Sequence, residues 1–271
     1  MKQIYTFIFG VLLLFVSGGM AYAQGSSEVL PQSRAFDHDE TLSYKVAFKW
    51  GIINGKIGEA TITNKRRRSG QQYFSQLLFR TMGIAESFYS MRDTFETLYS
   101  QHRRPLRFEK RILENGYRMT DELTFTHQIG RVAVHTRGYT PEAVQVDTTY
   151  WYKSAEVEPI DMLSTLHYVR GLDVKDPGRV NGKRIVIPIA RSEVYIECRH
   201  QGFAKKKIYT GETVEVAKLT LSIRDEAFAS QSDAMQLWVT TDARRLVVLI
   251  ETRLKIGRAA VELVGYHAPK K

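Results

Sequence analysis

From Thr41 to Trp50 apolar and polar residues alternate without a break. Leu42, Tyr44, Val46, Phe48 and Trp50 share one set of positions, and Thr41, Ser43, Lys45, Ala47 and Lys49 the other. A period of two is that of a strand with one buried face. The same period returns late in the chain, where Leu246, Val248, Ile250, Leu254 and Ile256 alternate with Glu251, Arg253 and Lys255, and Thr252 is the one polar residue on the apolar side. A strand at 235–239, the polar turn Thr241-Asp242-Ala243-Arg244 and a strand at 259–264 after Gly257 complete a three-strand meander. Such a meander is not stable alone in water, so the upstream chain must cover its apolar face.

Between these ends the pattern predicts further strands at 57–64, 72–80, 91–100, 106–113, 117–126, 132–136, 184–190, 193–200, 207–210 and 214–223. Asn54-Gly55, Glu114-Asn115-Gly116, Gln128-Ile129-Gly130 and Asn181-Gly182 supply turns. The first hairpin carries a register problem. A plain turn at Asn54-Gly55 pairs Trp50 with Glu59 and Phe48 with Thr61, whereas a one-residue shift brings Ala60 and Ile62 under the apolar row, which predicts a bulge or a three-residue loop using Gly55 or Gly58. One segment has a helical period: Asp161 is a suitable N-cap, Met162, Leu163, Leu166, Tyr168 and Val169 form an apolar stripe, and Gly171 follows the end. The stretch 137–158 has no clear period and contains Pro141, as a crossover loop or a join between two halves would. The fold expected is all-β: an antiparallel β-barrel or strongly curled half-barrel of about twelve strands, with one short helix from Asp161 to Arg170 packed across it.

The first 23 residues change the picture of where the fold begins. Lys2, the apolar run 4–16 and Ala21-Tyr22-Ala23 make an export signal with a small-x-small cleavage site, and the run is short for a membrane span. A polar leader, 24–36, follows, and the β domain is expected over 37–268. No Cys follows the cleavage site, so lipidation there is not expected, and the expected compartment is a periplasm. Removal of the signal leaves 38 cations against 29 acids, a net +9 where the whole chain has +10. In an envelope compartment that charge points to an anionic membrane surface or an acidic glycan before nucleic acid. The single Cys198 cannot form an internal disulfide.

Candidate chemistry is sparse. Asp37-His38-Asp39-Glu40 is the densest set of metal-ligand types, but in an extended chain His38 opposes Asp37 and Asp39. Cys198 and His200 share a strand face and lack a companion pair. Ser164 and His167 stand three apart on the helix, without the Gly-flanked elbow of a nucleophilic serine. Lys65-Arg66-Arg67-Arg68 suits a phosphate-bearing partner, although a hairpin tip also holds such a run as a solvated loop. Asp161 and Arg170 stand at the two ends of the helix, where its dipole favours each charge, and Arg170 is placed either to meet that dipole or to pin the helix to the sheet through a carboxylate. Neither metal nor cofactor is expected.

Three stretches resemble a known family. Leu42-Ser43-Tyr44-Lys45-Val46 with Gly58-Glu59-Ala60, the helix Asp161-Met162-Leu163-Ser164 ending in Arg170, and Leu237-Trp238-Val239-Thr240-Thr241-Asp242 with Arg244-Arg245-Leu246 and Lys255-Ile256-Gly257 are similar to domain-of-unknown-function family 3108 of exported bacterial proteins. Leu246-Val247 stand where that family often has Pro, and Glu212-Thr213-Val214 replace its Gly-rich lead. The resemblance implies a periplasmic antiparallel β protein, akin to the open half-barrels of lipoprotein carriers, and brings no catalytic residues.

The function expected is therefore non-enzymatic: a module binding an apolar or amphipathic lipid or glycan of the envelope inside the curl, with Tyr44, Phe48, Trp50 and Trp238 as ligand-binding candidates. The alternative is an assembly factor that engages another envelope protein, and a glycan or ester hydrolase has no motif behind it.

Overall fold

Continuous alternation and short polar turns dictate an up-and-down sheet, and the computed structural model has one. It describes residues 38–50, 53–67, 72–189, 192–223, 232–255 and 257–269. The expected signal and leader, Asp37, Arg68 and the Trp50 side chain lie outside the described residues.

The strands are β1 (Glu40–Trp50), β2 (Ile53–Arg66), β3 (Gln72–Thr81), β4 (Arg92–Ser100), β5 (Pro105–Glu114), β6 (Tyr117–Gln128), β7 (Arg131–Tyr139), β8 (Val144–Lys153), β9 (Glu158–Pro159), β10 (Lys183–Ile189), β11 (Ser192–Lys207), β12 (Thr213–Ile223), β13 (Met235–Thr240), β14 (Val247–Leu254) and β15 (Gly257–His267). Among the described residues three helices interrupt them: α1 (Ile84–Phe88), α2 (Met162–Gly171) and α3 (Pro177–Val180). All fifteen strands belong to one sheet in the order β8-β7-β6-β5-β4-β3-β2-β1-β15-β14-β13-β12-β11-β10-β9. Among the described strands only the β9–β10 pair is parallel. The first strand is thus central: β1 pairs with β2 on one side and with β15 on the other, zipping an N-terminal meander to a C-terminal one.

The sheet curls until β7 touches β10, which makes a nearly closed barrel. Its inward side chains and those of α2 form one contiguous apolar cluster, running from Leu42 and Val46 through Phe95 and Phe125 to Ile187, Leu219 and Val261. Because strands alternate in direction, the β2–β3, β4–β5, β6–β7, β11–β12 and β13–β14 connections all fall at the end where β1 begins. We call this the helix end, since α2 lies across it.

Fifteen strands rather than about twelve are present, and β8 and β9 account for much of the difference. In β8 the inward row is buried only at Val146 and Tyr152; Thr148 interrupts it, Val144 is exposed at its start, and Trp151 stands on the otherwise polar outward row, so its alternation is weak. Two-residue β9 is too short to carry a period. The stretch 207–210 is not a strand of its own: β11 runs on to Lys207, and a turn closed by Ile208 N donating to Glu212 O follows.

The first hairpin resolves its register problem with a bulge. Trp50 pairs with Ile53 and Phe48 with Gly55, so Asn54 and Gly55 lie in the ladder rather than at the reversal. A shift between Val46 and Ala47 then sets Tyr44 against Ala60 and Leu42 against Ile62. Gly58 sits at this shift because the backbone of β3 presses on it. A Cβ there would lie 2.5 Å from Arg80 O and 2.8 Å from the Phe79 ring. At Asn115-Gly116 both residues have positive φ, 46° and 84°, and Glu114 pairs with Tyr117 across them, as a type I′ hairpin requires. Thr252 does face inward, and its hydroxyl donates to Ala234 O at 2.8 Å, which satisfies the one polar group on that row.

Gly58→Ala is expected to destabilise the protein by about 2 kcal/mol through overpacking. Gly55→Ala, with nothing within 4 Å of the new methyl, should change stability little. Urea denaturation of the two variants beside the parent checks the contrast.

Candidate functional site

The sequence places Asp161 where a helix must start, and the carboxylate caps α2 by accepting from Ser164 N at 2.9 Å. Met162, Leu163, Tyr168 and Val169 are buried in the barrel core. Unlike a surface helix, α2 buries polar residues as well: Asp161, Ser164, His167 and Arg170, three apart, form a second stripe. Residues three apart on a helix are neighbours on one face, and this face meets the strands at the helix end.

Thr97 of β4 donates to Asp161 Oδ1 at 2.9 Å. The Ser164 hydroxyl lies 2.5 Å from Asp161 Oδ2 and 3.0 Å from the hydroxyl of Tyr99. Having one proton, Ser164 directs it to the carboxylate and accepts from Tyr99. His167 Nε2 lies 2.9 Å from Ser75 Oγ of β3. Ser75 donates to Asn64 Oδ1 at 2.6 Å, and Asn64 Nδ2 donates to Glu40 Oε1 at 2.7 Å. Arg170 completes the chain with a bidentate pair to Glu40, 2.5 and 3.0 Å, and two further bonds of 3.1 Å to the carbonyls of Arg245 and Arg244 in the β13–β14 turn. Of the two roles the sequence left open for Arg170, this is the pin to the sheet.

Burial sets the protonation states here. It pushes Asp161 up to about 6, against the bonds from Ser164 and Thr97. It holds His167 well below its ordinary value, with the charge of Arg170 acting in the same direction. A neutral imidazole whose Nε2 carries the proton fits the network, because the Ser75 proton is spent on Asn64. In a nucleophilic Ser–His pair the imidazole accepts the serine proton; at Ser75 and His167 the direction is reversed, and both residues are buried.

A second buried polar group lies at the opposite end of the barrel. Lys110 Nζ sits 3.0 Å from Asp121 Oδ2, Tyr89 donates to Glu114 Oε2 at 2.7 Å, and Leu113 N donates to Asp93 Oδ1 at 3.2 Å. Burial, and then the charge of Glu114, push Asp93 up to about 7. Burial likewise raises Glu114 and lowers Lys110, the latter opposed by Asp121.

The other candidates do not converge. Among the described members of the acidic cluster, His38 Nε2 is 2.9 Å from the Tyr266 hydroxyl, Asp39 accepts from Arg66 N, and Glu40 holds Arg170. Cys198 is buried, which pushes its thiol up to about 12, with Glu197 adding to the shift. Both nitrogens of His200 face backbone, Val174 O at 3.1 Å and Gly202 N at 3.0 Å. Among the described residues no group of three His, Cys, Asp or Glu is placed to hold a metal ion. Tyr44 points inward and donates to Val247 O at 3.2 Å. Phe48 lines a cavity of about 160 Å³ with Thr252 and Ala259. Trp238 lies on the outward side of β13, with the ammonium groups of Lys218 and Lys206 at 5.4 and 5.8 Å from its ring, and does not meet Tyr44.

What the sequence did not reveal is an arginine–aromatic rim at the helix end. Arg66 from β2 and Arg103 from the β4–β5 turn stack on the same ring, Tyr73, at 5.9 and 5.7 Å. Arg67 lies 5.1 Å from Phe74, and Arg131 of the β6–β7 hairpin 4.7 Å from Trp151. Ile129 at that hairpin tip is fully exposed and Trp151 is 56% exposed. Arg104 of the β4–β5 turn lies near enough for its charge to act on Glu158, and Arg131 Nε donates to Gln128 Oε1 at 2.7 Å. The up-and-down order was the available signal, since in a meander every second turn falls at the same end.

Fold and sites together define an antiparallel, barrel-like β protein plugged by a short helix and cationic around the plugged end. The chain belongs to the family described as "Protein of unknown function (DUF3108)", which it matches over residues 43–264. A comparison with curated proteins finds no match. Among solved structures, a beta-barrel-like protein of domain of unknown function DUF1849 from Brucella abortus superposes with a TM-score of 0.59 at 9% identity, covering 86% of this chain and 98% of that one. That likeness supports the fold alone. A protein with a YmcC-like fold from Bacteroides fragilis covers 92% of this chain and 100% of its own at 7% identity, with a TM-score of only 0.33. Among the described residues no helix is long and apolar enough to cross a membrane.

The raised carboxyls predict an unusual pH dependence. Asp93, at about 7, and Asp161, at about 6, keep protons in the folded state that the unfolded chain has already released above pH about 4. The folded state then binds more protons, so stability falls as pH rises from about 4 to about 7. Urea melts at pH 5 and pH 7.5 should show the protein more stable at pH 5 by on the order of 1–2 kcal/mol, and Asp93→Asn should flatten that difference.

Proposed function

We propose that this protein is a non-enzymatic, periplasmic module that docks on the anionic, phosphate-bearing headgroups of an envelope lipid surface through its helix end. The observation that carries this reading is the rim of arginines held over aromatic rings on three hairpins at the helix end, Arg66 and Arg103 over Tyr73, Arg67 over Phe74 and Arg131 over Trp151. A guanidinium held over a ring is already partly ordered before it meets a phosphate oxygen. Exposed Ile129 and Trp151 add the apolar and interfacial side chains that a headgroup layer accommodates. The net charge of +9 left after removal of the signal supports the same partner. A ligand held inside the curl is less well supported, because the inward side chains of both meanders and of α2 already pack on one another. The N-terminal export pattern supports the compartment.

Co-sedimentation with vesicles tests this reading. Purified protein is expected to pellet with vesicles containing phosphatidylglycerol and to stay in solution with phosphatidylcholine alone, with binding that weakens as salt is added. The triple variant Arg67→Ser/Arg104→Ser/Arg131→Ser should lower the affinity by at least about tenfold. Equal binding to both vesicle types, no binding to either, or a triple variant that binds like the parent would each overturn the reading.

A further inference from the structure

A sheet that fails to close leaves two edges, and the two are guarded differently. The β9 edge is two residues long and ends in Pro159, and short strands and proline are the usual ways of blunting an edge. The β8 edge is ten residues long and contains no proline. Among the described residues β8 pairs with β7 alone, regularly from Val146 to Lys153. It is rich in Val, Thr, Tyr and Trp, the residue types that favour strands. Val144 and Trp151 are more than half exposed, and a space of about 360 Å³ lies against the stretch that includes Val146, Asp147 and Thr148. A row of strand donors and acceptors of this length calls for another strand.

We infer that β8 is a self-pairing edge, on which β8 of a second copy of this chain adds antiparallel about a two-fold axis at Tyr150. The sequence of the strand selects this register. With Tyr150 opposite its own copy, Asp147 faces Lys153 of the second chain at both ends of the paired segment, Thr148 faces Tyr152, and Thr149 faces Trp151. A register centred on Thr149 instead sets Asp147 against Trp151 and Lys153 against Gln145, leaving both charges without a counter-charge across the strands. Directly opposed opposite charges and aromatic–Thr pairs are the favourable cross-strand combinations. Asp147 and Lys153 already have exposed partners within the chain, His135 at 2.8 Å and Arg137 at 3.9 Å for the first, Glu156 at 3.1 Å for the second. Exposed pairs of this kind contribute little and exchange readily. Antiparallel addition points the two helix ends in opposite directions, so pairing through β8 and docking of the arginine rim on a flat surface are separate properties with separate readouts.

Sedimentation equilibrium over a range of protein concentrations tests the inference. A reversible dimer is expected. Asp147→Lys sets Lys against Lys at two places and should weaken the dimer about tenfold, and adding Lys153→Asp in the same chain should restore it. Rescue separates the cross-strand pair from any effect on His135 and Arg137, since the substitution at position 147 is the same in both variants. A protein that stays monomeric up to millimolar concentration, a dimer indifferent to Asp147→Lys, or a weakened dimer that the second substitution fails to restore would each overturn the inference.

Discussion

The ion pair between Arg170 and Glu40 is the constraint on which the rest of the barrel depends. It joins three parts of the chain that lie far apart in sequence: the last turn of α2, the start of β1, and the carbonyls of the β13–β14 turn. Because β1 is the strand at which the two meanders zip together, fixing the helix there fixes it to both. Two charges are costly to remove from water, and their attraction offsets that cost only with good geometry and with the remaining donors satisfied. Here the pairing is bidentate, Asn64 donates to the same carboxylate, and two carbonyls take further guanidinium protons. We therefore assign the pair a role in specifying where α2 sits, rather than in adding bulk stability.

The same logic explains why α2 is buried on its polar side. A wholly apolar helix could slide or rotate inside an apolar barrel at little cost. The stripe of Asp161, Ser164, His167 and Arg170 instead has partners on β4, β3 and β1 at matching spacing, and a shift by one residue would orphan each of them in a dry interior. The interior is thereby committed to holding its own helix. The chemistry left for a partner lies outside, on the arginine rim and along β8.

Much of this fold was legible in the sequence. The alternation at 41–50, the turns at Asn115-Gly116 and Ile129-Gly130, the N-cap Asp161 and the bulge near Gly58 follow from local periodicity and turn chemistry. What was not legible depends on distance or on the lack of a pattern. Glu40 read as part of an acidic cluster because its partner lies 130 residues away. Strand β8 read as an aperiodic join because Thr148 interrupts its inward row of Val144, Val146, Tyr150 and Tyr152 and Trp151 its polar one. The run Lys65-Arg66-Arg67 read as a solvated loop because the residues that join it on one rim, Arg103, Arg104 and Arg131, come from later hairpins. Of the ligand candidates, Tyr44 is spent on Val247 O and Trp238 faces outward, since alternation gives the face of a residue but not what lies across it.

The most direct measurement of the central claim is a double-mutant cycle on Glu40 and Arg170, read by urea denaturation. If the pair positions the helix, Glu40→Gln and Arg170→Met should each cost about 3–5 kcal/mol by stranding a buried partner. The double variant, with neither charge left unpaired, should cost clearly less than the sum. Single variants that lose less than about 1 kcal/mol, or losses that simply add, would contradict the account.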